Sequence, residues 1–264
     1  GSYYMLRTKT KQAGFTLVEL AIVIVIIGLI VGGVLVGQDM IKAAELRAAV
    51  GQIEKLDTAV NVFRNKYNGI PGDLPNPTNF GFTAPVPATS LGNGVLDSTA
   101  ANNIDGEPGM FFTHLSSANL IQDTLTVSTA QDTAATAVAT INTYSPISKL
   151  GKGIYILAMS TGGVNYYMMD NASVTAGTGA ITFNHSAMTP NVAYQFDSKL
   201  DDATPTSGKV QAYDDISTVA TATANAGALA GKCVNSTPSP NVYQTSTQTI
   251  GDTAACTIRI RASF

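Results

Sequence analysis

Glu19 is a carboxylate at the edge of a long apolar stretch, where an unpaired charge is costly. The 18 residues at positions 20–37 contain no charged or hydrogen-bonding side chain. A stretch of this length and composition is typical of a membrane-spanning helix. A carboxylate in such a helix costs up to roughly 2.5–3.5 kcal/mol at mid-bilayer, so it is rare without a partner. The sequence therefore predicts a specific electrostatic partner for Glu19.

An α-amino group on Phe15 would be such a partner. The preceding Gly14 is small, and residues 6–14 contain three cations and no acid. Cleavage after Gly14 would leave a free amine four residues before Glu19, on the same helix face or presentable to a neighbouring copy. A secretory signal peptide has the reverse order, because its cleavage site follows the apolar stretch. A plain signal anchor explains the basic flank and the span but not Glu19.

The segment GFTLVEL at residues 14–20 resembles the cleavage and methylation signal of type IV pilins and pseudopilins. This resemblance implies cleavage between Gly14 and Phe15 by a prepilin peptidase, followed by N-methylation of Phe15. It also implies that Glu19 pairs with the amine of an adjacent subunit during filament assembly. Residues 1–14 are then a leader peptide, in which residues 1–4 have the look of an expression scar before Met5.

The chain after the leader is predicted to form one long helix with two environments. Residues 15–66 contain no Pro, which permits a continuous helix. Its first part, residues 15–37, is the predicted membrane or filament-core segment. In its second part apolar residues recur at spacings of three and four, which predicts a stripe that packs on a globular head. That stripe is Leu46, Val50, Ile53, Leu56, Val60, Phe63 and Tyr67.

Four glycines in the apolar segment form two pairs with a spacing of four, Gly28 with Gly32 and Gly33 with Gly37. Small residues at this spacing let membrane helices approach closely, which predicts helix packing in a filament core. The alternative is that glycine is simply common in membrane helices.

Residues 67–264 are predicted to be an exported globular head, and the fold class to be α+β and pilin-like. We expect the second half of the long helix to pack against an antiparallel sheet. A loop is expected up to residue 106, a helix over 107–121, an exposed Thr/Ala/Ser-rich loop over 123–148 and a helix that starts at Thr189-Pro190. Strands are predicted near 154–159, 164–169, 180–183 and 209–213. The last strand, Thr257–Arg261, is predicted at the sheet edge with Ile258 and Ile260 inward.

The two cysteines, Cys233 and Cys256, are 23 positions apart near the C-terminal end of the sequence. In an exported protein an even number of cysteines predicts a disulfide, here closing the loop 233–256. Two unrelated thiols are the alternative. A C-terminal disulfide loop also resembles the one that is common in type IV pilins.

Residues with metal-binding or catalytic potential form no recognised pattern. His114 and His185 have no Cys or His at zinc spacing, so each is predicted to be solvated or locally bonded. Asp97, Asp105 and Glu107 lie in an oxygen-rich loop that is a candidate for Ca²⁺, with Asx-rich turns as the alternative. Later acids, namely Asp197, Asp201, Asp202, Asp214 and Asp215, are predicted to be solvating. We therefore predict no enzymatic activity, no cofactor and no resident metal.

Charge is distributed unevenly along the chain. Residues 1–66 carry eight Lys and Arg against five Asp and Glu, whereas residues 67–264 carry seven against thirteen. A basic start before an apolar segment predicts a cytoplasmic N-terminus in the inner membrane and an exported head. The acidic head offers no basic patch for nucleic acid.

The resemblance implies a structural subunit of a type IV pilus-like filament, membrane-anchored as a precursor and extracellular or periplasmic once assembled. The implied partners are further copies of the chain in a helical homopolymer, the prepilin peptidase, an inner-membrane assembly platform and minor pilins. A pseudopilin of a type II secretion system is one alternative, and a membrane-anchored binding or enzyme domain is another. The predicted disulfide favours the pilin, whereas a Ca²⁺ site in its place would favour the pseudopilin.

Overall fold

The structure is a computed structural model that describes most of the chain. The described residues are 14–85, 90–98, 105–126, 141–151, 153–174, 181–183, 187–213, 233–235, 242–243, 245 and 256–264. The leader residues 1–13, most of the predicted 123–148 loop, His185, Asp214 and Asp215 lie outside them.

The first helix, α1, spans Leu17–Tyr67 without interruption and confirms the predicted long helix. It ends at Tyr67, and the next residue, Asn68, has a positive φ of 56°, the left-handed conformation that commonly terminates helices. The amide of Asn68 still donates to the carbonyl of Arg64. The chain divides into two compact units within α1, one ending at Ala44 and the other beginning at Glu45. The second half of α1 therefore belongs to the same unit as the head.

A four-stranded antiparallel sheet forms the centre of the head, in the order β1-β2-β8-β5. These strands are β1 (Tyr155–Thr161), β2 (Val164–Asp170), β5 (Val210–Tyr213) and β8 (Thr257–Arg261). β1 and β2 form a hairpin closed by Gly162 and Gly163, both with positive φ. Two consecutive positive φ values are what a two-residue hairpin turn requires, and glycine supplies them without strain. The fold class is α+β, as predicted.

The second half of α1 packs on this sheet through the predicted apolar stripe. Its fully buried members share one core with Tyr167 of β2 and with Ile258 and Ile260 of β8. Polar contacts extend the packing: the side chain of Gln52 donates to the carbonyl of Ile147 at 3.0 Å and accepts from the amide of Lys149 at 2.8 Å. The buried residues of α1 are Leu46, Ala49, Ile53, Leu56, Ala59, Val60 and Phe63.

The prediction that β8 is an edge strand was wrong. β8 pairs with β2 on one side and with β5 on the other, so it lies inside the sheet. Ile258 and Ile260 do point into the core, as predicted. On the other face, the guanidinium of Arg259 bonds to the Gln211 side chain at 2.6–2.9 Å and stacks over the Tyr166 ring at 4.4 Å. Side chains of the two neighbouring strands thus bind Arg259, so the alternation of polar and apolar residues in β8 does not require an edge position.

Two further helices and two small sheets complete the described head. α2 spans Glu107–Ser117, ending four residues earlier than predicted. α3 spans Pro190–Leu200 and begins as predicted, because the Thr189 side chain accepts a hydrogen bond from the Val192 amide and Pro190 occupies the first turn. The small sheets pair β3 (Ala172–Val174) with β4 (Ile181–Phe183), and β6 (Val234–Asn235) with β7 (Val242–Tyr243). The chain between α1 and α2 includes a 3-10 turn at Pro77–Phe80.

Candidate functional site

The predicted processing segment lies where α1 begins. Gly14, Phe15 and Thr16 are not helical, and the first helical residue is Leu17. The peptide bond after Gly14 is therefore in exposed, non-helical backbone, two residues before the helix. The Phe15 side chain is 81% exposed. This is an accessible position for a peptidase, which must bind the backbone on both sides of the bond that it cuts.

Thr16 and Glu19 form a reciprocal set of hydrogen bonds at the helix start. The amide and the hydroxyl of Thr16 donate to the Glu19 carboxylate at 2.8 and 2.9 Å, and the Glu19 amide donates to the Thr16 hydroxyl at 3.3 Å. This arrangement is a capping box, in which two backbone amides without helical partners are satisfied by side chains. While the bond after Gly14 is intact, Glu19 thus has a partner within its own chain.

Thr16 is a residue that sequence reasoning missed. The signal was present, because Thr followed three positions later by Glu before an apolar run is the sequence pattern of a capping box. The structure therefore adds Thr16 to the predicted pair of Phe15 and Glu19.

The apolar part of α1 is long and apolar enough to cross a membrane. Its most apolar 18-residue window has a mean hydropathy of 3.1 and no residue buried within the protein. At the paired glycines Gly28, Gly32, Gly33 and Gly37, an added Cβ would meet no atom within 4 Å. The four positions are therefore open notches on the helix surface, and their use in packing stays a prediction.

Cys233 and Cys256 form a disulfide, with Cα atoms 5.0 Å apart, and both are fully buried. This confirms the predicted bond. Cys256 also exchanges two backbone hydrogen bonds with Met188, just before α3. Between the two cysteines, Tyr243 donates from its hydroxyl to the carboxylate of Asp197 on α3 at 2.7 Å. The loop is thus attached to the residue just before α3 through Cys256 and to α3 itself through Tyr243.

Burial raises the pKa of Asp197 to about 6, and the nearby carboxylates of Asp202 and Asp201 contribute to the rise. Hydrogen bonds from Tyr243 and from the Ala203 amide act in the opposite direction. Burial, followed by the adjacent Asp197 carboxylate, raises the pKa of the Tyr243 hydroxyl. The Tyr243 hydroxyl therefore remains a hydrogen-bond donor throughout the physiological pH range.

Among the described residues, one group of three carboxylates has oxygens within 4.8 Å of one another: Asp197, Asp201 and Asp202. Each already accepts hydrogen bonds from the protein. The Asp201 carboxylate, for example, binds the amides of Lys209 and Val210. The Asp202 carboxylate binds donors in the turn that follows α3. These contacts fit a structural role at a helix end better than a metal-binding loop.

The predicted calcium loop is organised by its own hydrogen bonds. The Glu107 carboxylate, fully buried at the start of α2, accepts from the Asp97 amide at 2.7 Å. The Glu107 amide donates in turn to the Asp97 carbonyl at 3.3 Å. Asp105 is buried as well. The structure thus brings Asp97 and Glu107 together through hydrogen bonds of Glu107 to the Asp97 backbone, and a Ca²⁺ role for the three acids stays a prediction.

His114 is buried and locally bonded. Its Nδ1 accepts from the Gly72 amide at 3.0 Å, and its Nε2 lies 2.8 Å from the Thr83 carbonyl. This agrees with one of the two environments expected for it, and among the described residues it belongs to no group of three side chains that could hold a metal ion.

Comparison with known proteins places the similarity in the N-terminal segment. Residues 9–35 match the family model described as the prokaryotic N-terminal methylation motif. The matched segment contains Gly14, Phe15, Thr16 and Glu19 and continues into the apolar part of α1. No curated protein and no solved structure matches the chain.

Proposed function

Since the chain carries the prepilin-type cleavage and methylation signal of type IV pilins and pseudopilins, we propose that it is a structural subunit of a type IV pilus-like filament. The motif indicates a precursor of the pilin and pseudopilin class. The observation that carries the proposal of a processed filament subunit is the position of the Gly14–Phe15 bond, two residues before an apolar helix that contains Glu19. Prepilin peptidase would cut this bond and the new amine of Phe15 would be methylated.

The cleavage changes the electrostatics of the helix start. Before cleavage the Glu19 carboxylate is bound by Thr16 of its own chain. After cleavage a positive amine lies four residues before Glu19 in the same chain. In a filament, the amine of an adjacent subunit could instead pair with this Glu19 carboxylate. Opposite charges in an apolar environment attract strongly, because no water screens them. This pairing supplies a reason for retaining an acid in the apolar segment.

The division of α1 into an apolar part and a part that packs in the head supports the same proposal. Its apolar part would hold the precursor in the inner membrane and would become the filament core after assembly, with the notches at Gly28, Gly32, Gly33 and Gly37 admitting neighbouring helices. Its second half is part of the head. Residues 15–37 would thus serve as the assembly segment, and residues 67–264 would provide the filament surface.

The disulfide favours a pilin over a pseudopilin of a type II secretion system. Cys233 and Cys256 close a loop near the C-terminal end of the sequence, as is common in type IV pilins. Filaments sheared from the cell surface that contain the processed chain would support the pilus. Processed chain found solely in short periplasmic assemblies would instead support the secretion pseudopilus.

The intact mass of the protein isolated from its source cell tests the proposal. The expected mass lacks everything through Gly14 and includes one additional methyl group, which peptide fragmentation should locate on the Phe15 amine. An intact leader, or cleavage beyond Gly37, would refute it.

A further inference from the structure

His114 connects two distant points of the chain that leaves α1. It lies on α2 and is fully buried. Its Nδ1 accepts a hydrogen bond from the Gly72 amide at 3.0 Å, and its Nε2 lies 2.8 Å from the carbonyl oxygen of Thr83. Residues 72–83, which contain the 3-10 turn at Pro77–Phe80, are thus held to the head at both ends by one imidazole. We call residues 72–83 the exit segment.

The partners of His114 specify its protonation state. A backbone amide can only donate, so the Nδ1 that faces Gly72 must carry a lone pair. A carbonyl oxygen can only accept, so the Nε2 that faces Thr83 must carry the proton. The imidazole is therefore neutral in the fold. A second proton on Nδ1 would point at the Gly72 amide hydrogen and remove that hydrogen bond.

Aromatic rings surround the imidazole. Phe63 of α1 stacks on it with centroids 6.2 Å apart, and Phe82 of the exit segment lies at 5.2 Å. Burial lowers the pKa of His114, and the hydrogen bond to the Thr83 carbonyl offsets this in part. A positive charge formed here would lose its hydration, and it would also lose the hydrogen bond from Gly72.

Charged groups on the surrounding elements are directed elsewhere. On the exit segment, the Asp73 carboxylate is bound by the amides of Gly92 and Gly94. On α2, the Glu107 carboxylate is bound by the Asp97 amide. On α1, the basic residues of the last turn, Arg64 and Lys66, are exposed. The described residues thus offer no carboxylate positioned to stabilise an imidazolium at His114.

Gly72 has little freedom to adjust if its hydrogen bond is lost. Its φ is +85°, and an added Cβ would collide with the backbone carbonyl of Glu107. The backbone therefore packs directly on the start of α2, where only glycine fits. Loss of the bond to Nδ1 leaves a buried amide without a partner, which typically disfavours the closed state.

We propose that His114 is a pH-sensitive clamp: the neutral imidazole holds the exit segment on the head, and its protonation in acid releases that segment. The clamp is independent of filament assembly, since all of its contacts lie within one head. It would make the junction between α1 and the head the acid-sensitive point of the subunit.

The test compares the wild-type chain with H114Q, in full-length protein in detergent micelles. A glutamine amide offers an acceptor and a donor but does not titrate, so it can reproduce the two hydrogen bonds. H185Q is the matched control, since it removes the other histidine of the chain. Unfolding by denaturant is measured at pH 7 and pH 5.

The expected result is that acidification from pH 7 to pH 5 raises the unfolding constant of the wild type more than that of H114Q. The limiting difference is roughly 25-fold for a histidine that stays neutral in the fold and has a pKa of about 6.5 when unfolded. Hydrogen exchange, corrected for the intrinsic effect of pH, should show the additional opening in residues 72–83. H185Q should behave as the wild type. Equal pH dependence of wild type and H114Q would overturn the proposal.

Nitrogen NMR of the wild-type histidines provides a test that does not depend on folding of the variant. At pH 7, His114 should carry its proton on Nε2 and none on Nδ1, and it should titrate below the usual imidazole range. A His114 that carries a proton on Nδ1 at pH 7, or that titrates near pH 6.5 without opening of residues 72–83, would overturn the proposal.

Discussion

The hydroxyl of Tyr243 lies 2.7 Å from the carboxylate of Asp197 and donates a hydrogen bond to it. The two residues are 46 positions apart, one inside the disulfide loop and the other on α3. Both are buried. The disulfide joins the two ends of the loop to each other, and this hydrogen bond attaches a point within the loop to α3.

Asp197→Asn should stabilise the head at neutral pH. The pKa of Asp197 is about 6 in the fold against 3.8 for an ordinary Asp, so the folded state disfavours the ionised form. The contribution of Asp197 to stability is therefore greatest at low pH and is lost as the pH rises from about 4 to 6. The asparagine variant should lack this loss and be more stable at pH 7 by about 1–2 kcal/mol, a value reduced for solvent screening.

Denaturant unfolding of wild type and Asp197→Asn at pH 4, 5, 6 and 7 measures the effect. The exposed Asp123 provides a control, since Asp123→Asn should retain the wild-type profile. A difference in unfolding free energy between wild type and Asp197→Asn that stays constant from pH 4 to pH 7 would contradict the prediction.

Replacement of both cysteines, Cys233→Ser with Cys256→Ser, should lower the free energy of unfolding by about 3 kcal/mol in the chain-entropy model. The bond closes a loop with a sequence separation of 23, which restricts the unfolded chain. Reduction of the wild type under denaturing titration should give a similar loss. Equal stability of the oxidised and reduced wild type would show that the bond contributes nothing.

Thr16→Ala should fray the start of α1, whereas Thr16→Ser should not. Alanine lacks the hydroxyl that accepts from the Glu19 amide and donates to the Glu19 carboxylate. Loss of an N-terminal cap typically costs about 1 kcal/mol, and serine keeps the hydroxyl. Hydrogen exchange of residues 17–20 in micelles is the measurement. Unchanged protection in Thr16→Ala would mean that the capping box does not define the helix start.

Glu19→Ala should be cleaved normally but should fail to assemble. The bond proposed for cleavage precedes the helix, and the hydrogen bonds of the Glu19 carboxylate go to Thr16, whereas the proposed pairing with the Phe15 amine requires that carboxylate. Glu19→Gln keeps the shape without the charge and should also fail. Immunoblots follow cleavage, and electron microscopy of sheared material follows assembly. Normal filaments from either variant would refute the pairing argument.

Gln52→Ala should loosen the contact between α1 and the segment before β1. It removes two hydrogen bonds, to the carbonyl of Ile147 and from the amide of Lys149. The expected loss is about 1–2 kcal/mol at typical net values. Gln52→Glu keeps the acceptor for Lys149 but places a carboxylate oxygen against the Ile147 carbonyl, so its loss should be at least as large. Unchanged stability of Gln52→Ala would contradict the prediction.

Elements with local signals were predictable from the sequence. The long helix follows from the absence of Pro and from the apolar stripe, and α3 begins where Thr189 and Pro190 indicate a cap. The place of β8 in the sheet was not predictable, because its pairing with β2 and β5 depends on strands far away in the sequence. The two faces of β1 were not predictable either. Four consecutive residues, Ile156 to Met159, are buried, so its side chains do not alternate between the core and solvent.

In the candidate site, too, local features were predictable and long-range contacts were not. Glu19 was evident because an acid in an apolar run is costly, and the capping pattern of Thr16 is also present in the sequence. By contrast, the bond from Tyr243 to Asp197 joins residues that no short-range pattern relates. Contacts at a separation of 46 residues are set by the packing of the loop on α3, which the sequence does not display.

The open notches on the apolar part of α1 do not all lie on one side of the helix. At about 100° per residue, Gly28 and Gly32 lie close together, whereas Gly33 and Gly37 lie about 140° around the axis from them. A helix notched on a single side is suited to a closed pair, which stops growing at two members. A helix notched on two sides would have a valence of two, so that each bound copy leaves a free side for the next and growth continues without an end.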